Sequence, residues 1–154
     1  MSDCCSTNNK SSTHQQTLSC PHCHEKGKSV DIITLKSLLR PDAMKRLDSS
    51  LHYQFCRTAD CPVVYFYESV FFRKEEIVVI VFQKEILPSA LVCYCFGFDR
   101  KALIDNAHQN GKSSIQETIK QYVKDKKCAC EIRNPQGSCC LGNISQVVNQ
   151  SKVL

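Results

Sequence analysis

The chain of 154 residues is long enough for one or two small domains, and its 42% hydrophobic and 23% charged residues exclude a disordered composition. Its longest apolar run, at 77–82, is too short to span a membrane, and the N-terminus lacks the basic and apolar regions of a secretory signal. We therefore expect a cytoplasmic protein with no membrane span.

Twelve cysteines are the most unusual feature of the composition. In a reducing compartment, so many cysteines favour metal ligation over a disulfide framework. The formal net charge of +5 assumes neutral thiols. A zinc ion or an oxidised two-iron cluster held by four thiolates carries about −2, so two such sites leave a net charge of about +1. The basic balance is therefore weak evidence for nucleic acid, and we do not expect such a partner.

Residues 1–17 are polar, rich in Ser, Thr and Asn, and without apolar periodicity. This composition predicts a flexible tail. Cys4 and Cys5 interrupt it, and two interpretations of that pair stay open. It is either inert or a pair of thiols that captures a soft ion such as Cu(I), Hg(II) or As(III).

The next stretch begins with the motif CPHC, in which Pro and a nearby Gly predict a tight turn that points Cys20 and Cys23 at one ion. VDIITL, at 30–35, predicts a strand because Val and Ile favour extended structure. Residues 37–47 have helical spacing in their second half, and Pro41 excludes a long helix there.

From 51 to 82 the pattern indicates β-structure. Alternating and β-branched runs, of which IVVIVF at 77–82 is the last, predict a small antiparallel sheet. The following segment, 83–90, carries Pro88 and predicts a linker between two halves of the chain.

The second half is predicted to be helical. Asp99 is a candidate N-cap for a helix that buries Ala102, Leu103 and Ala107 and ends at Gly111. A second helix has an apolar face, and a third covers 141–150. The predicted face of the second helix consists of Ile115, Ile119, Tyr122 and Val123.

The first candidate metal site combines Cys20-x2-Cys23 with Cys56-x4-Cys61. Two such knuckles beside strands are typical of a tetrahedral zinc site, and four thiolates leave no open position for catalysis. We expect a structural site that stabilises a small β unit. A histidine ligand in place of one cysteine stays possible, and the candidates are His22, His24 and His52. CPHC is also similar to a thioredoxin-type redox motif, but that motif requires a helix starting at its first cysteine.

The second candidate site begins at Cys93-x-Cys95 and returns, after two helices, to CACEIRNPQGSCCLG at 128–142. A cluster held in this way needs a mostly dry pocket with backbone N–H groups directed at sulfur. Gly97 and the Asn-Pro-Gln-Gly turn at 134–137 are the predicted sources of these amides.

Four motifs in order resemble the N-terminal domain of archaeal CopZ-type copper chaperones: CPHC, FC-x4-CPVVYF, VCYCFG and CEIRNPQGSCCLG. The cluster half is also similar to bacterioferritin-associated ferredoxins. The CopZ resemblance implies a zinc site and a [2Fe-2S] cluster in one domain. It implies Cys20, Cys23, Cys56 and Cys61 as zinc ligands, and Cys93, Cys95, Cys130 and Cys140 as cluster ligands.

Cys128 competes with Cys130 as the third cluster ligand, because its distance from Cys95 along the chain fits the shorter ferredoxin spacing. Cys128 and Cys139 have no role that the CopZ resemblance implies. The resemblance also has a departure: CopZ-type chaperones continue into a copper domain with a Met-x-Cys-x-x-Cys loop. That loop is absent here, so we do not expect this polypeptide to deliver copper in that way.

We therefore expect an α+β fold, with a tail at 1–17, a small zinc-binding antiparallel β unit at 18–87 and a helical [2Fe-2S]-binding unit at 88–154. The implied function is one-electron transfer in the handling of copper or another soft metal, with Zn²⁺ and the cluster as cofactors and Cu(I) as a further candidate. The partners would be a soft-metal ion and a copper-transport or detoxification protein. No catalytic motif indicates a dedicated enzyme. The alternatives are a non-redox interaction module and a cluster-based sensor.

Overall fold

The computed structural model describes residues 18–110 and 114–152, except for the side chain of Asn110. The predicted tail with Cys4 and Cys5, and the predicted helix end at Gly111, lie outside these residues. The described part of the chain has mixed α and β structure, which confirms the predicted class. In this part of the molecule, no helix is both long enough and apolar enough to cross a membrane.

A four-stranded antiparallel sheet forms the first half, in the strand order β1-β2-β3-β4. The strands are β1 Lys28–Ser29, β2 Gln54–Phe55, β3 Val63–Tyr67 and β4 Val70–Arg73. The central strand β3 is rich in β-branched and aromatic residues, and its first four residues are fully buried. The predicted antiparallel sheet is therefore confirmed.

The predicted strand at 30–35 is wrong, because helix α1, Ile32–Leu38, occupies this stretch. The Asp31 carboxylate accepts a hydrogen bond from the backbone N–H of Ile33 at 3.0 Å and caps the helix N-terminus. Leu35 and Leu38 are one helical turn apart, and both are buried. Capping and burial on a helical face outweigh the extended preference of the β-branched residues. Helix α2, Pro41–Met44, begins at the predicted break.

The predicted strand at 77–82 is also wrong. A short 3₁₀ turn, Lys74–Glu76, precedes this stretch, and Ile77 makes one isolated bridge to Leu39. The N–H of Val78 then donates to the carbonyl of Leu38 at 2.8 Å. The backbone therefore pairs with the end of α1 instead of joining the sheet, and it continues as bends and turns.

The core of the first half lies between α1, α2 and one face of the sheet. Its largest fully buried side chains include Tyr53, Phe55, Tyr65 and Phe72. Tyr53 packs against Phe72 with ring centroids 5.8 Å apart, and Phe55 packs against Tyr65 at 6.1 Å. These tilted pairs connect the strands of the sheet with one another.

The second half is a short hairpin covered by helices. Its elements are β5 Leu91–Cys93, β6 Phe98–Asp99, α3 Arg100–Asn110, α4 Ser114–Lys124, α5 Cys130–Arg133 and α6 Leu141–Ser151. The Asp99 carboxylate accepts a hydrogen bond from the N–H of Ala102 at 2.8 Å, as predicted for an N-cap. Leu103, Ile119 and Ile144 are fully buried and join α3, α4 and α6 in one core.

The predicted buried faces are broadly confirmed. On α3, Leu103 and Ala107 are buried and Ala102 is half-buried. On α4, Ile119 is fully buried, whereas the other predicted residues of its face are half-buried. The predicted third helix is α6.

Gly27 offers a direct test of the sheet packing. A Cβ at this position would lie 2.5 Å from Gln54 Cβ and 2.6 Å from Phe66 Cζ, which no real contact allows. We expect Gly27→Ala to lower the free energy of unfolding by about 2 kcal/mol, as overpacking typically does. Urea unfolding at matched metal content measures the change.

The matched control is Gly142→Ala. Gly142 is exposed within α6, and a Cβ there meets nothing within 4 Å. Alanine is preferred over glycine inside a helix by up to about 1 kcal/mol, so this variant should be as stable as the wild type or more stable. Equal stability of Gly27→Ala and wild type would contradict the described approach of Gly27 to Phe66.

Candidate metal centres

Four cysteine sulfurs converge at one end of the first sheet. The Sγ atoms of Cys20, Cys23, Cys56 and Cys61 all lie within 4.8 Å of one another. Cys20 Sγ lies 3.8 Å from Cys61 Sγ, and Cys23 Sγ lies 3.6 Å from Cys56 Sγ. A tetrahedral zinc ion with Zn–S bonds of about 2.3 Å holds its sulfurs about 3.8 Å apart. The donor set and its spacing therefore fit zinc.

A tight turn positions the first two thiols. The N–H of Cys20 donates to the carbonyl of Glu25 at 2.8 Å, and the N–H of His24 donates to the carbonyl of Cys20 at 2.9 Å. His24 has a φ of 65°, which allows the chain to reverse. The chain then enters β1 and not a helix, so the requirement for a thioredoxin-type redox motif is not met.

The sheet positions the other two thiols. Cys56 directly follows β2, and its N–H donates to the carbonyl of Val64 in β3 at 2.8 Å. Cys61 precedes β3, and its N–H donates to the carbonyl of Thr58 at 3.2 Å. Cys56 is therefore held by the pairing of β2 with β3, and Cys61 by the turn that leads into β3.

The histidines considered as substitute ligands are exposed. His22 comes nearest, with its Nδ1 atom 3.6 Å from Cys61 Sγ. Among the described residues, the group of four converging ligand atoms contains thiols and no histidine.

Burial and hydrogen bonding affect the thiols of this site differently. Burial raises the pKa of the Cys20 thiol and raises that of Cys61 to about 12. Burial also acts on Cys23, but a hydrogen bond with the Thr58 hydroxyl and further hydrogen bonds lower its pKa to about 7. Sequence reasoning missed Thr58, although its place inside the Cys56-x4-Cys61 loop was a signal. A bound cation would keep all four sulfurs deprotonated.

A second group of thiols lies in the other half. Cys93 ends β5, Cys95 follows in the turn, Cys130 starts α5 and Cys140 is the N-cap residue of α6. Cys95 Sγ lies 3.8 Å from Cys130 Sγ. The Cys140 thiol is hydrogen-bonded with both Cys130 and Cys93. These contacts link four reduced thiols as neighbours, from β5, the turn after it, α5 and the start of α6.

The surroundings of this second group are mostly dry. Cys93, Cys130 and Cys140 are at most 2% exposed, whereas Cys95 is half-buried. A hydrogen bond with Cys140 lowers the pKa of the Cys93 thiol, and hydrogen bonds with Cys130 raise the pKa of Cys95 and Cys140. Such a pocket of sulfur ligands fits an iron–sulfur cluster.

The predicted amide donors are not the ones that the structure shows. The N–H of Gly97 donates to the carbonyl of Cys93, and that of Gly137 donates to the carbonyl of Asn134. The N–H of Ala129 donates instead to Cys95 Sγ at 3.2 Å. Sequence reasoning missed Ala129, although its position between two cysteines made it a candidate.

The two cysteines without an implied role lie beside this group. Cys128 is half-buried and packs at the edge of the second core. Cys139 is also half-buried, and its carbonyl accepts a hydrogen bond from the Gln136 side chain at 2.9 Å.

The comparisons with known proteins agree with this arrangement. Residues 17–78 match the model of the CopZ family described as a zinc-binding domain. The chain is 33% identical over 121 residues to the copper chaperone CopZ of Archaeoglobus fulgidus. The aligned part is 79% of this chain and 57% of the Archaeoglobus protein, so the chain spans little more than half the length of that relative.

The crystal structure of the N-terminal domain of Archaeoglobus fulgidus CopZ has the same fold. It superposes with a TM-score of 0.70 at 28% identity, and the match covers 84% of this chain and 97% of that domain. The similarity therefore includes the helical half as well as the zinc-binding half. We conclude that residues 17–78 match the CopZ zinc-binding domain, and that the chain is homologous to Archaeoglobus CopZ and shares the fold of its N-terminal domain.

Proposed function

We propose that this protein handles soft metal ions by one-electron transfer, with zinc in the first thiol group and a [2Fe-2S] cluster in the second. The observation that carries the proposal is the convergence of Cys93, Cys95, Cys130 and Cys140 in a mostly dry pocket. The homology to a copper chaperone supports soft-metal handling.

The proposed role of the first group is structural. Cys20, Cys23, Cys56 and Cys61 would complete the coordination of zinc and leave no position for a substrate. Their backbones hold the ends of β2 and β3, and β1 and β2 are only two residues long. Such short strands give little stability by themselves, so the metal would supply part of the folding energy.

The second group would hold the cluster. Bound there, a [2Fe-2S] cluster supplies the capacity to accept and donate one electron. The chain's own residues keep most of the pocket dry, and the N–H of Ala129 stabilises negative charge on Cys95 Sγ. A thiol-rich site also suits a cytoplasmic setting, where thiols stay reduced.

The proposed substrate is a soft ion, with copper as the first candidate because the relative is a copper chaperone. Soft ions such as Cu(I) prefer sulfur ligands, so reduction of Cu(II) would favour its transfer to thiolates. The proposed macromolecular partner is accordingly a copper-transport or detoxification protein. We also propose that the chain binds Cu(I) transiently.

Metal analysis of anaerobically purified protein tests this assignment. We expect one zinc, two irons and two sulfides per chain, and a brown solution whose visible absorbance bleaches with dithionite. A colourless protein that contains zinc alone would contradict the redox proposal and favour an interaction module with a structural metal.

Cys130 and Cys128 form a natural pair for testing the ligand assignment. Cys130 is 1% exposed and 3.8 Å from Cys95 Sγ, whereas Cys128 is half-buried at the edge of the core. We expect Cys130→Ser to reduce the iron content at least severalfold and Cys128→Ser to leave it close to that of wild type. Iron content and visible spectra are the measurements, and loss of the spectrum in Cys128→Ser alone would refute the assignment.

A further inference from the structure

The segment that joins two proposed cluster ligands is held by the zinc-binding half. We call residues 131–139 the ligand bridge, since they connect Cys130 with Cys140. Thr34 in α1 donates its hydroxyl to the carbonyl of Glu131 at 2.5 Å. Tyr65 in β3 donates its hydroxyl to the carbonyl of Pro135 at 2.6 Å. Both donors belong to the first half, so the bridge is fixed from outside its own half.

The contact is buried and closely fitted. Tyr65 is 0% exposed, and Asn134 and Pro135 are buried. Gly137 has a φ of 68°, and a Cβ there would lie 3.1 Å from Thr34 Oγ1 and 3.3 Å from Val30 Cγ1. The bridge therefore lies directly on the first half, with almost no room for a side chain at its turn.

Tyr65 is also tied to the first thiol group. It lies in β3 opposite Phe55, the residue just before Cys56. Its neighbour Val64 accepts the hydrogen bond from the N–H of Cys56, and Cys61 lies just before the same strand. Whatever fixes Cys56 and Cys61 also fixes the position of the Tyr65 hydroxyl.

We propose that Tyr65 is a positioning residue through which the zinc-binding half holds the ligand bridge, so that the cluster pocket between Cys130 and Cys140 is kept in shape. This inference deepens the proposed function and rests on it. Tyr65 acts through the backbone of Pro135 and not through a proposed ligand side chain. Loss of the Tyr65 hydroxyl should cost the bridge more free energy than loss of its other contacts, because it leaves the buried carbonyl of Pro135 without its donor. The contact of Lys28 Nζ with Ser138 Oγ at 2.9 Å is exposed and contributes less.

Tyr65→Phe tests the proposal with Tyr53→Phe as the matched control. Both tyrosines are fully buried in the same core, and each substitution removes one hydroxyl. The Tyr53 hydroxyl accepts a hydrogen bond from the N–H of Asp48 at 3.3 Å, within the first half and away from the bridge. A general loss of core stability affects both variants, whereas loss of the bridge contact affects only Tyr65→Phe.

The measurement is the rate at which the purified, fully loaded protein gives up iron to a ferrous chelator under anaerobic conditions, with zinc content determined at each time. We expect Tyr65→Phe to lose iron at least about fivefold faster than both wild type and Tyr53→Phe, the factor that one buried hydrogen bond supplies. Zinc should stay bound while iron leaves. The shape of the visible spectrum before release should be unchanged, because the ligands are the same.

The outcomes separate this inference from the proposed function. Wild type without iron would overturn the proposed function, and this inference with it. Iron-loaded wild type with equal release rates for Tyr65→Phe and Tyr53→Phe would overturn the inference alone. If Tyr65→Phe does not fold with zinc, Thr34→Val removes the other buried donor to the bridge and must accelerate iron release in the same way; an unchanged rate would refute the proposal.

Discussion

The structure depends on four sulfurs being held close together at the end of a sheet that is very small. Two of its four strands contain two residues each, and Cys56 and Cys61 lie where β2 ends and β3 begins. Because burial raises the pKa of Cys20 and Cys61, a shared cation is needed to make all four sulfurs thiolates together. A metal bound there would take the place of the longer strands that usually stabilise a sheet. Helix α1 packs on this sheet, and Thr34 of α1 and Tyr65 of β3 contact the ligand bridge.

Much of this fold could be predicted from local sequence signals. Paired cysteines indicated both thiol groups, Asp99 indicated the start of α3, and Pro41 indicated a helix boundary. Each of these signals acts within a few residues and needs no distant partner. The strand predicted at 30–35 is a helix because Asp31 caps it and Leu35 fits the core. Residues 77–82 pair with the end of α1, a contact that no local pattern encodes.

In the second thiol group, too, local sequence patterns did not predict the contacts between residues distant along the chain. Spacing indicated that Cys93 and Cys95 would lie close to cysteines of the segment 128–140, and the structure places Cys95 Sγ 3.8 Å from Cys130 Sγ. Spacing did not identify Ala129 as the amide donor to Cys95, because the direction of a backbone N–H depends on the three-dimensional path of the chain. Nor did it show that Tyr65, distant in sequence, supports the turn between two cysteines. Such contacts are established only when both halves have packed together.

The cysteines of the second thiol group are unequally buried, so one side of this pocket is nearer to solvent than the other. Three of its cysteines face the core of α3, α4 and α6, and half-buried Cys95 stands at the surface beside Phe96. The Phe96 ring packs on Tyr122 with centroids 4.7 Å apart, which makes an aromatic rim on that side. Among the described residues, Cys95 is the least buried of the four cysteines, so a redox partner of the proposed cluster would approach across this rim. The opposite side is insulated by the helices, so the orientation of the docked partner would be set by the fold itself.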